Sequence, residues 1–302
     1  MNSEWGAVIL NPSCSNNCIF CTAGGHKAEE SDIKKQEINV VRNLIHFKTI
    51  GIKKIEISGS DPIEYTKIIS LVSYIKKKGF EFIQLSTHGK KLSDKLFLKK
   101  IISAGVDKFR IPIYGSNSKI HDSVTRCKSS FNQTIEGIEN IVNKYPDIQL
   151  QISCLILKQN KDDLINIVDL MNHYGINDFY LSIPCIPNND YSYYIPFKEL
   201  GKYVRKVYDY ASKINFNIKF MEIPYCIFGF FDKRINNFSE PPHLGKYCQP
   251  PKEFRTNKKD WPSYRLKKKV DICNNCKCKD FCDGFFINDI DKFGIGNLKP
   301  IK

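Results

Sequence analysis

Residues 54–86, KIEISGSDPIEYTKIISLVSYIKKKGFEFIQLS, contain two strand signals with one helix signal between them. The first strand ends at Gly59, a helix follows over about 65–78 and stops at Gly79, and the second strand covers 82–86. Two strands joined through a helix pair in parallel, because the chain must cross over the sheet before it returns. This stretch therefore predicts an α/β fold built on a parallel sheet.

The same alternation of strand and helix extends over the first 215 residues. The predicted strands are 7–10, 54–58, 82–86, 107–113, 148–157 and 178–183, and the predicted helices are 31–48, 65–78, a helix capped by Ser93, 132–144, 162–174 and 197–214. Six such units predict a partial (β/α)6 barrel, in which ligands gather at the carboxyl ends of the strands. The domain prediction is a barrel core over 1–215 and a small, irregular, Cys-rich region over 216–302.

The composition of the 302 residues is that of a folded protein. Hydrophobic residues make up 42%, and 46 Lys and Arg against 32 Asp and Glu give a formal charge of +14. A disordered chain is excluded, because there is enough apolar material for a core. No apolar run approaches the ~18 residues of a membrane span, and the first residues lack the features of a signal peptide. These properties predict a cytoplasmic protein that has no membrane partner.

A basic stretch lies near the end of the chain, between Arg255 and Lys269. Such a stretch binds phosphate groups or nucleic acid in some proteins and serves general solubility in others. The aromatic residues within it that would stack on bases are limited to Trp261 and Tyr264. Nucleic acid is therefore the least favoured partner.

Twelve cysteines fall into three sets along the sequence. The sets are Cys14, Cys18 and Cys21; Cys127, Cys154 and Cys185; and Cys226, Cys248, Cys273, Cys276, Cys278 and Cys282. Closely spaced cysteines in a chain without a signal peptide indicate metal ligands rather than disulfides. The middle set is isolated in strand or loop contexts, which predicts ordinary buried apolar residues.

The first set lies in the loop after the first strand, which reads CSNNCIFC over 14–21. Cysteine thiolates are the ligands of iron-sulfur clusters. The three thiols of Cys14, Cys18 and Cys21 would leave one iron of a four-iron cluster open to a substrate or cofactor, whereas a closed structural site has four ligands. A zinc site that borrows His26 as its fourth ligand is the alternative that the spacing alone leaves open.

This cluster and several later motifs resemble the radical S-adenosylmethionine (SAM) superfamily. The signature of that superfamily has three cysteines at this spacing and an aromatic residue before the third, which is Phe20 here. The other matching stretches are Ser58–Pro62 at the place of a Gly-Gly-Glu-Pro motif, Thr87–Gly89 at the place of Thr-Asn-Gly, Phe109–Gly115, His121–Asp122, Ser130–Phe131 and Gly137–Ile138. The resemblance extends along roughly the first 215 residues.

The resemblance implies the cofactors and the residues that bind them. The open iron of a [4Fe–4S] cluster would chelate SAM. An electron from a donor such as flavodoxin or ferredoxin would then cleave SAM to methionine and a 5′-deoxyadenosyl radical, which abstracts hydrogen from a substrate. The implied SAM-binding residues are Phe20 near the adenine, with Ser58, Gly59, Ser60, Asp61 and Thr87. Asp61 is one methylene shorter than the usual Glu. No catalytic residue is assigned, and His88 and His121 are expected to cap or pack.

The last cysteines resemble the auxiliary-cluster regions of the same superfamily, of the SPASM and shorter Twitch types. The spacing that carries this resemblance is Cys-x2-Cys-x5-Cys, formed by Cys273, Cys276 and Cys282. These three thiolates are expected to hold an auxiliary [4Fe–4S] cluster with Cys226 as the fourth ligand; Cys248 is its rival, and Cys278 could replace a neighbour. A four-cysteine zinc site is the alternative.

The substrate class stays open at this stage. Superfamily members with auxiliary clusters commonly oxidise or cross-link a peptide, and this is the leading interpretation. The alternatives are dehydrogenation of a small metabolite such as an aminocyclitol or alcohol, RNA modification through the basic stretch, and a non-catalytic iron-sulfur or zinc module. The compact length suits a metabolite enzyme, and no domain that grips a leader peptide is expected before the first strand.

Overall fold

A computed structural model describes residues 5–21, 28–186, 190–236 and 267–302. The strands are β1 (Trp5–Leu10), β2 (Lys54–Gly59), β3 (Phe82–Ser86), β4 (Lys108–Pro112), β5 (Gln149–Leu155), β6 (Phe179–Ser182), β7 (Ile218–Met221), β8 (Ile235–Asn236), β9 (Lys267–Lys268) and β10 (Phe285–Phe286). The α-helices are α1 (Glu30–Thr49), α2 (Ile68–Lys77), α3 (Lys95–Ala104), α4 (Ser118–Thr125), α5 (Ser130–Lys144), α6 (Leu164–His173), α7 (Phe197–Lys213), α8 (Tyr225–Phe228) and α9 (Ile287–Phe293). Within these described ranges, no helix combines the length and the apolar character that a membrane crossing requires.

The chain forms two compact units, described here within the ranges above. The first comprises residues up to 112 together with 121–151, and the second comprises 113–120, 152–236 and 267–302. In the first unit, β1 to β4 are parallel and adjacent in chain order. In the second unit, β5 to β8 are likewise parallel and adjacent, and β9 pairs with β10 in antiparallel fashion. The predicted α/β class with parallel pairing is confirmed. The boundary predicted at residue 215 stays a prediction.

Strand residues of the first unit alternate between an apolar and a polar face. Ile55 and Ile57 in β2 are fully buried. Glu56, between them, accepts hydrogen bonds from Ser86 Oγ at 2.8 Å and from Arg110 Nη1 at 3.0 Å. A period of two follows from the pleat of a β-strand. The face of these strands opposite the apolar core is therefore polar.

Two short parallel strands, β7 and β8, extend the second unit beyond the six strands that the sequence predicts. β7 pairs with β6, and β8 pairs with β7. β7 has four residues and β8 has two. Strands of this length carry too few residues for an alternating pattern to be recognised, so only the tertiary structure reveals them.

Helix α3 is capped by a different residue from the one that the sequence predicts. Ser93 donates its hydroxyl to Lys90 O at 2.7 Å. Asp94 is the cap, because its Oδ1 accepts from Leu96 N at 2.9 Å and from Phe97 N at 3.1 Å. Both residue types are good caps. Asp94 caps the helix because its carboxylate accepts hydrogen bonds from two backbone N–H groups at once.

Helix α5 holds the loop that follows β3. Thr134 Oγ1 donates to His88 O at 2.9 Å. Gly137 lies one turn further along α5, and a Cβ atom there would approach Gly89 O to 2.7 Å and Leu92 Cβ to 3.0 Å. The helix and the loop therefore touch backbone to backbone, which requires glycine at this position.

Replacing Gly137 by Ala should destabilise the first unit. The added methyl group must displace either α5 or the loop, which costs roughly 1–3 kcal/mol of the free energy of unfolding. Urea unfolding followed by circular dichroism measures the loss. Glu136→Ala is the matched control, because Glu136 is exposed on the same helix. Equal stability of the two variants would contradict the close contact.

A buried carboxyl group lies in the second unit, on α9. Asp289 has 1% of its surface exposed, and its Oδ2 accepts a hydrogen bond from Tyr194 Oη at 2.5 Å. Its Oδ1 has no hydrogen-bond partner among the described residues. Burial raises the pKa of Asp289 to about 7, against a smaller lowering by the Tyr194 hydroxyl. The folded protein therefore favours the protonated acid.

The raised pKa of Asp289 predicts a pH-dependent stability. Between its ordinary pKa and about 7, the folded protein keeps a proton that the unfolded chain has released, so the free energy of unfolding falls as pH rises. From about pH 5 to about pH 8, the natural protein should lose on the order of 2 kcal/mol more than Asp289→Asn. Urea unfolding at both pH values tests this, with exposed Asp280→Asn as control. Parallel pH profiles of the natural protein and Asp289→Asn would refute the prediction.

Candidate metal and cofactor site

The loop after β1 carries the first three cysteines. Asn17 N donates to Thr125 O at 2.9 Å, and Ile19 N donates to Val124 O at 3.0 Å, so the loop is fastened to the end of α4. Within the loop, Cys21 N donates to Cys18 O at 3.0 Å and closes a tight turn. Because β1 is parallel to β2, this loop lies at the edge of the sheet where the β2 loop also emerges.

The three thiols are close enough to act on one another electrostatically. Cys14 and Cys18 are half-buried and Cys21 is exposed. The pKa of the Cys18 thiol is raised to about 12, by burial first and then by Cys21, Cys14 and Cys127. Gathering thiolates in one place is unfavourable unless a cation neutralises them. The donor set therefore suits a thiolate-ligated iron cluster.

The β2 loop approaches the β1 loop at Gly59 and Ser60. Gly59 has φ +141°, and a Cβ atom at this residue would lie 1.7 Å from Leu10 O, so no other residue fits. Ser60 N donates to Leu10 O at 3.2 Å, and Ser60 Oγ donates to Pro12 O at 2.6 Å. Ser58 precedes them and is half-buried. The hydroxyl of Ser60 is thus engaged in fixing the start of the cysteine loop.

Asp61 is a buried bracing group between the β2 and β3 loops. It has 1% of its surface exposed, and its Oδ1 accepts from Ile63 N at 3.1 Å. Its Oδ2 accepts from Thr87 Oγ1 at 3.0 Å and from His88 N at 3.2 Å. Asp61 and Thr87, both predicted to bind SAM, therefore bind each other. Whether they also contact SAM stays a prediction.

His88 joins two carboxylates and the cysteine loop. Its Nε2 lies 2.7 Å from Asp61 Oδ2 and 3.0 Å from Glu64 Oε1, and Ser15 Oγ donates to Glu64 Oε1 at 2.5 Å. Burial lowers the pKa of His88, but Asp61, Cys14 and Glu64 together raise it well above its ordinary value. Burial raises the pKa of Glu64, yet hydrogen bonds from His88 and Ser15 bring it down to about 2. A protonated imidazole therefore lies between the ionised Glu64 and the side chain of Asp61.

Three residues of this network have no role in the sequence prediction: Ser15, Glu64 and His88. Ser15 follows Cys14 directly, and His88 stands at the place of the Asn in Thr-Asn-Gly. Ser15 and His88 lie within motifs that the sequence shows and Glu64 lies two residues after one, but the partners of all three depend on three loops meeting. Phe20, predicted to lie near the adenine, is half-buried beside Cys21. Its contact with SAM remains a prediction.

Two of the three isolated cysteines differ from the prediction of ordinary buried residues. Cys154 is 1% exposed and fits it. Cys127 and Cys185 are only half-buried. Cys127 Sγ accepts a hydrogen bond from Lys90 Nζ at 3.2 Å, and Lys90 is itself buried. Cys127 therefore lies in a polar environment that acts electrostatically on Cys18, and nothing in the local sequence indicates this.

A second group of thiols converges in the second unit. Cys226 lies on α8, and its pKa is raised by burial first and then by Cys282, Cys273 and Cys276. Burial also raises the pKa of Cys273, to which Cys282 and Cys276 add. Four thiols from distant parts of the chain thus act on one another, which is the donor set of a four-iron cluster or a zinc site.

Local turns hold the last cysteines of this group. Cys273 N donates to Val270 O at 2.7 Å, and Cys276 N donates to Cys273 O at 3.1 Å. The β9–β10 pair encloses the cysteine-rich stretch. Gly284 has φ +83°, and a Cβ atom there would lie 2.2 Å from Lys268 O. This glycine therefore permits the pair to close around the stretch.

Cys278 and Cys248 are the two remaining candidate ligands for this group. Cys278 is 1% exposed, and burial raises its pKa to about 11, with Cys276 and then Cys282 adding to the increase. It therefore lies beside Cys276 and Cys282. Cys248 lies outside the described residues, as does most of the basic stretch, of which only Lys267–Lys269 is described. His26, the alternative zinc ligand, also lies outside them.

The family model of the Radical SAM superfamily matches residues 8–171, which is more than half of the chain. The chain belongs to the radical SAM superfamily. The matched range includes the cysteine loop, the β2 and β3 loops and helix α5.

Curated relatives match part of this radical SAM protein. A probable GTP 3′,8-cyclase of Saccharolobus islandicus is 21% identical over 174 residues, which are 58% of this chain and 54% of that protein. The GTP 3′,8-cyclase of Limosilactobacillus fermentum is 24% identical over 189 residues, 62% of this chain and 56% of that protein. The chain therefore spans about half the length of the curated relatives that it matches.

Solved structures match the fold over nearly the whole chain. SuiB of Streptococcus suis bound to S-adenosylmethionine has a TM-score of 0.61 at 15% identity, covering 98% of this chain and 76% of SuiB. The anSMEcpe protein with bound AdoMet and Kp18Cys peptide has a TM-score of 0.62 at 13% identity, covering 98% and 92%. SuiB bound to its precursor peptide SuiA gives 0.61 at 15%, covering 96% and 73%. The predicted partial-barrel fold with a Cys-rich C-terminal region is confirmed.

The cofactors expected from the sequence are those of this superfamily. Radical SAM proteins bind a [4Fe–4S] cluster and SAM, and Cys14, Cys18 and Cys21 fit the cluster because their thiols crowd together at the carboxyl end of β1. The Cys-rich C-terminal region indicates an auxiliary cluster. The individual ligands in both groups remain proposals.

Iron content tests both ligand sets. The natural protein, reconstituted without oxygen, should bind about eight irons per chain, since each four-iron cluster contributes four. Cys18→Ala and Cys276→Ala should each bind about four. Cys154→Ala is the control and should keep about eight, because Cys154 is buried away from both groups of thiols. An unchanged iron content in Cys276→Ala would show that the auxiliary site is misplaced.

Proposed function

We propose that this radical SAM enzyme oxidises or cross-links a peptide substrate in the cytoplasm, with flavodoxin or ferredoxin as its electron donor. The observation that carries the proposal is the convergence of Cys226 with Cys273, Cys276 and Cys282 in the second unit. Four thiolates can ligate every iron of an auxiliary [4Fe–4S] cluster. A cluster ligated in this way has no open iron for a substrate, which favours electron transfer as its role.

The chemistry comes from the cofactors, and the protein supplies position. When bound, the [4Fe–4S] cluster and SAM supply a 5′-deoxyadenosyl radical that removes a hydrogen atom from the substrate. Cys14, Cys18 and Cys21 would hold the cluster. Ser60 keeps the start of the cysteine loop in place through its hydrogen bonds to Leu10 O and Pro12 O, and Gly59 permits the close approach to Leu10 O. Their role is to fix the cofactor at one end of the sheet.

The charge network around His88 would keep the SAM side of the site in a single arrangement. Asp61 is fully engaged with Thr87 and His88, whereas the Glu64 side chain is 22% exposed. We assign Asp61 a positioning role. Glu64 is the carboxylate of this turn that has solvent access, so it is the better candidate to meet the amino group of SAM.

A peptide is favoured over a nucleotide as the substrate because the structural likeness to peptide-bound proteins covers more of the chain than the sequence likeness to the GTP 3′,8-cyclases. The fold of this chain is similar over 96% of its length to that of SuiB bound to SuiA and over 98% to that of anSMEcpe with Kp18Cys peptide. The likeness to the GTP 3′,8-cyclases covers 58–62% of the chain. The second candidate, cyclisation of GTP, is supported by sequence identity with those proteins.

Two cysteine variants test whether the first site is needed for SAM cleavage and the auxiliary site for substrate oxidation. Cys18→Ala should form no 5′-deoxyadenosine from SAM under dithionite, because the ligand set is broken. Cys276→Ala should still form 5′-deoxyadenosine but yield no oxidised substrate. Chromatography of both products measures the outcome, with Cys154→Ala as control. Persistent SAM cleavage by Cys18→Ala would contradict the ligand assignment.

The substrate itself is tested by isotope transfer. Candidate peptides encoded beside the gene, carrying deuterium at their side chains, are incubated with the reconstituted enzyme, SAM and reductant, and GTP is tested in parallel. Deuterium in 5′-deoxyadenosine from a peptide supports the proposal. A cyclised nucleotide from GTP, with no transfer from any peptide, would establish the second candidate instead.

A further inference from the structure

A cavity of about 970 Å³ lies in the second unit, against the auxiliary thiols. Cys226 and Cys278 form part of its wall. Cys226 is half-buried and Cys278 is buried. This cavity is therefore a place where a molecule from outside can approach the proposed auxiliary cluster.

Basic side chains line the cavity. Its charged lining residues are Lys198, Arg205, Lys277, Lys299 and Lys302. All five are exposed, and no acidic side chain occurs among the described lining residues. Arg205 is held in place because its Nη1 donates to Ile227 O at 2.8 Å. Five basic side chains with no Asp or Glu among the described lining residues create a local positive potential that attracts anionic partners.

Aromatic side chains also line the cavity. Phe230, Phe231 and Phe281 line it, and Phe231 has 55% of its surface exposed. The Phe231 ring is held between two neighbours, with centroids 5.3 Å from Tyr225 and 5.4 Å from Phe281. A large exposed aromatic side chain on a rigid support is typical of protein–protein contact sites.

We propose that this cavity is the docking site of an acidic one-electron carrier protein that serves the auxiliary cluster. The inference rests on the proposed function, because it takes the converging thiols as cluster ligands. A surface that combines exposed aromatic and basic side chains matches the composition of a protein interface, in which charges speed and orient the encounter. A small anion would gain little here, because exposed cations bind weakly one at a time.

The carrier completes the electron balance of the proposed oxidation. A substrate that loses a hydrogen atom and then a proton still carries one electron to be removed, and the oxidised carrier protein takes up that one electron. The carrier is anionic at its docking face, as flavodoxins and ferredoxins of net negative charge are. Electrostatic attraction to this +14 chain then favours fast, salt-sensitive association.

Binding and cross-linking locate the docking site without relying on turnover. Reconstituted enzyme is mixed with a purified flavodoxin of net negative charge, and the dissociation constant is measured at low salt. Carbodiimide then joins carrier carboxylates to nearby lysines, which are mapped by mass spectrometry. Cross-links at Lys198, Lys277, Lys299 or Lys302 are expected. Cross-links confined to other lysines would overturn the proposal.

Charge reversal supplies the matched control. Lys198→Glu with Lys299→Glu should weaken flavodoxin binding by about tenfold or more. Lys99→Glu with Lys100→Glu makes the same change in net charge on exposed lysines of α3 outside the cavity and should change binding by less than about twofold. Equal weakening in both pairs would show bulk charge alone and overturn the proposal.

Two further measurements distinguish other occupants of the cavity from a carrier protein, and a failure of the proposed function from a failure of the docking proposal. Inorganic phosphate and polyuridylate are tested for binding to the natural protein and to the Lys198→Glu, Lys299→Glu double variant. If either binds only the natural protein and flavodoxin does not bind at all, the cavity is a site for a small anion or RNA, and the docking proposal is overturned. Dithionite-driven SAM cleavage is measured separately on the same preparations. Its absence in the natural protein would defeat the proposed function, whereas its presence without flavodoxin binding would defeat only the docking site.

Discussion

Thiolates repel one another, and burial penalises each of them further, yet this protein gathers thiols twice. Burial raises the pKa of Cys18 and of Cys226, and the neighbouring cysteines raise it again. Such groups are costly in a folded chain unless cations hold them together. The cysteine loop after β1 and the turns around Cys273 and Cys276 are therefore understandable as cluster sites. A bound cluster would also supply order to the irregular stretch near the end of the chain, which is poor in periodic structure.

Rigid support for the first site comes from charge as well as from hydrogen bonds. Protonated His88 lies between Asp61 and Glu64, and Ser15 ties Glu64 to the cysteine loop. A buried charge that lacked its partner would be strongly destabilising, so the three loops that carry these residues keep one arrangement. Helix α5 reinforces it where Gly137 meets the β3 loop.

Much of the fold could be predicted from the sequence, because long elements with clear periodicity dominate the first 215 residues. Helix α5 was predicted over 132–144 and extends from Ser130 to Lys144. The short strands β7 and β8 could not be predicted, since two to four residues carry no pattern. The cap of α3 was misplaced by one residue, because Ser93 and Asp94 are both good caps and only their partners distinguish them.

The sequence by itself determined the superfamily and the α/β class, and it supplied the spacing from which the first three cysteines are proposed as ligands, because spacing within one loop and hydrophobic periodicity are local properties. Only the tertiary structure decided that Asp61 braces the β3 loop, that Cys127 meets Lys90, and that Cys226 joins thiols almost fifty residues further along. These contacts join segments that are far apart in the sequence. Their packing depends on the fold of the whole chain, so no local sequence pattern predicts which residues meet.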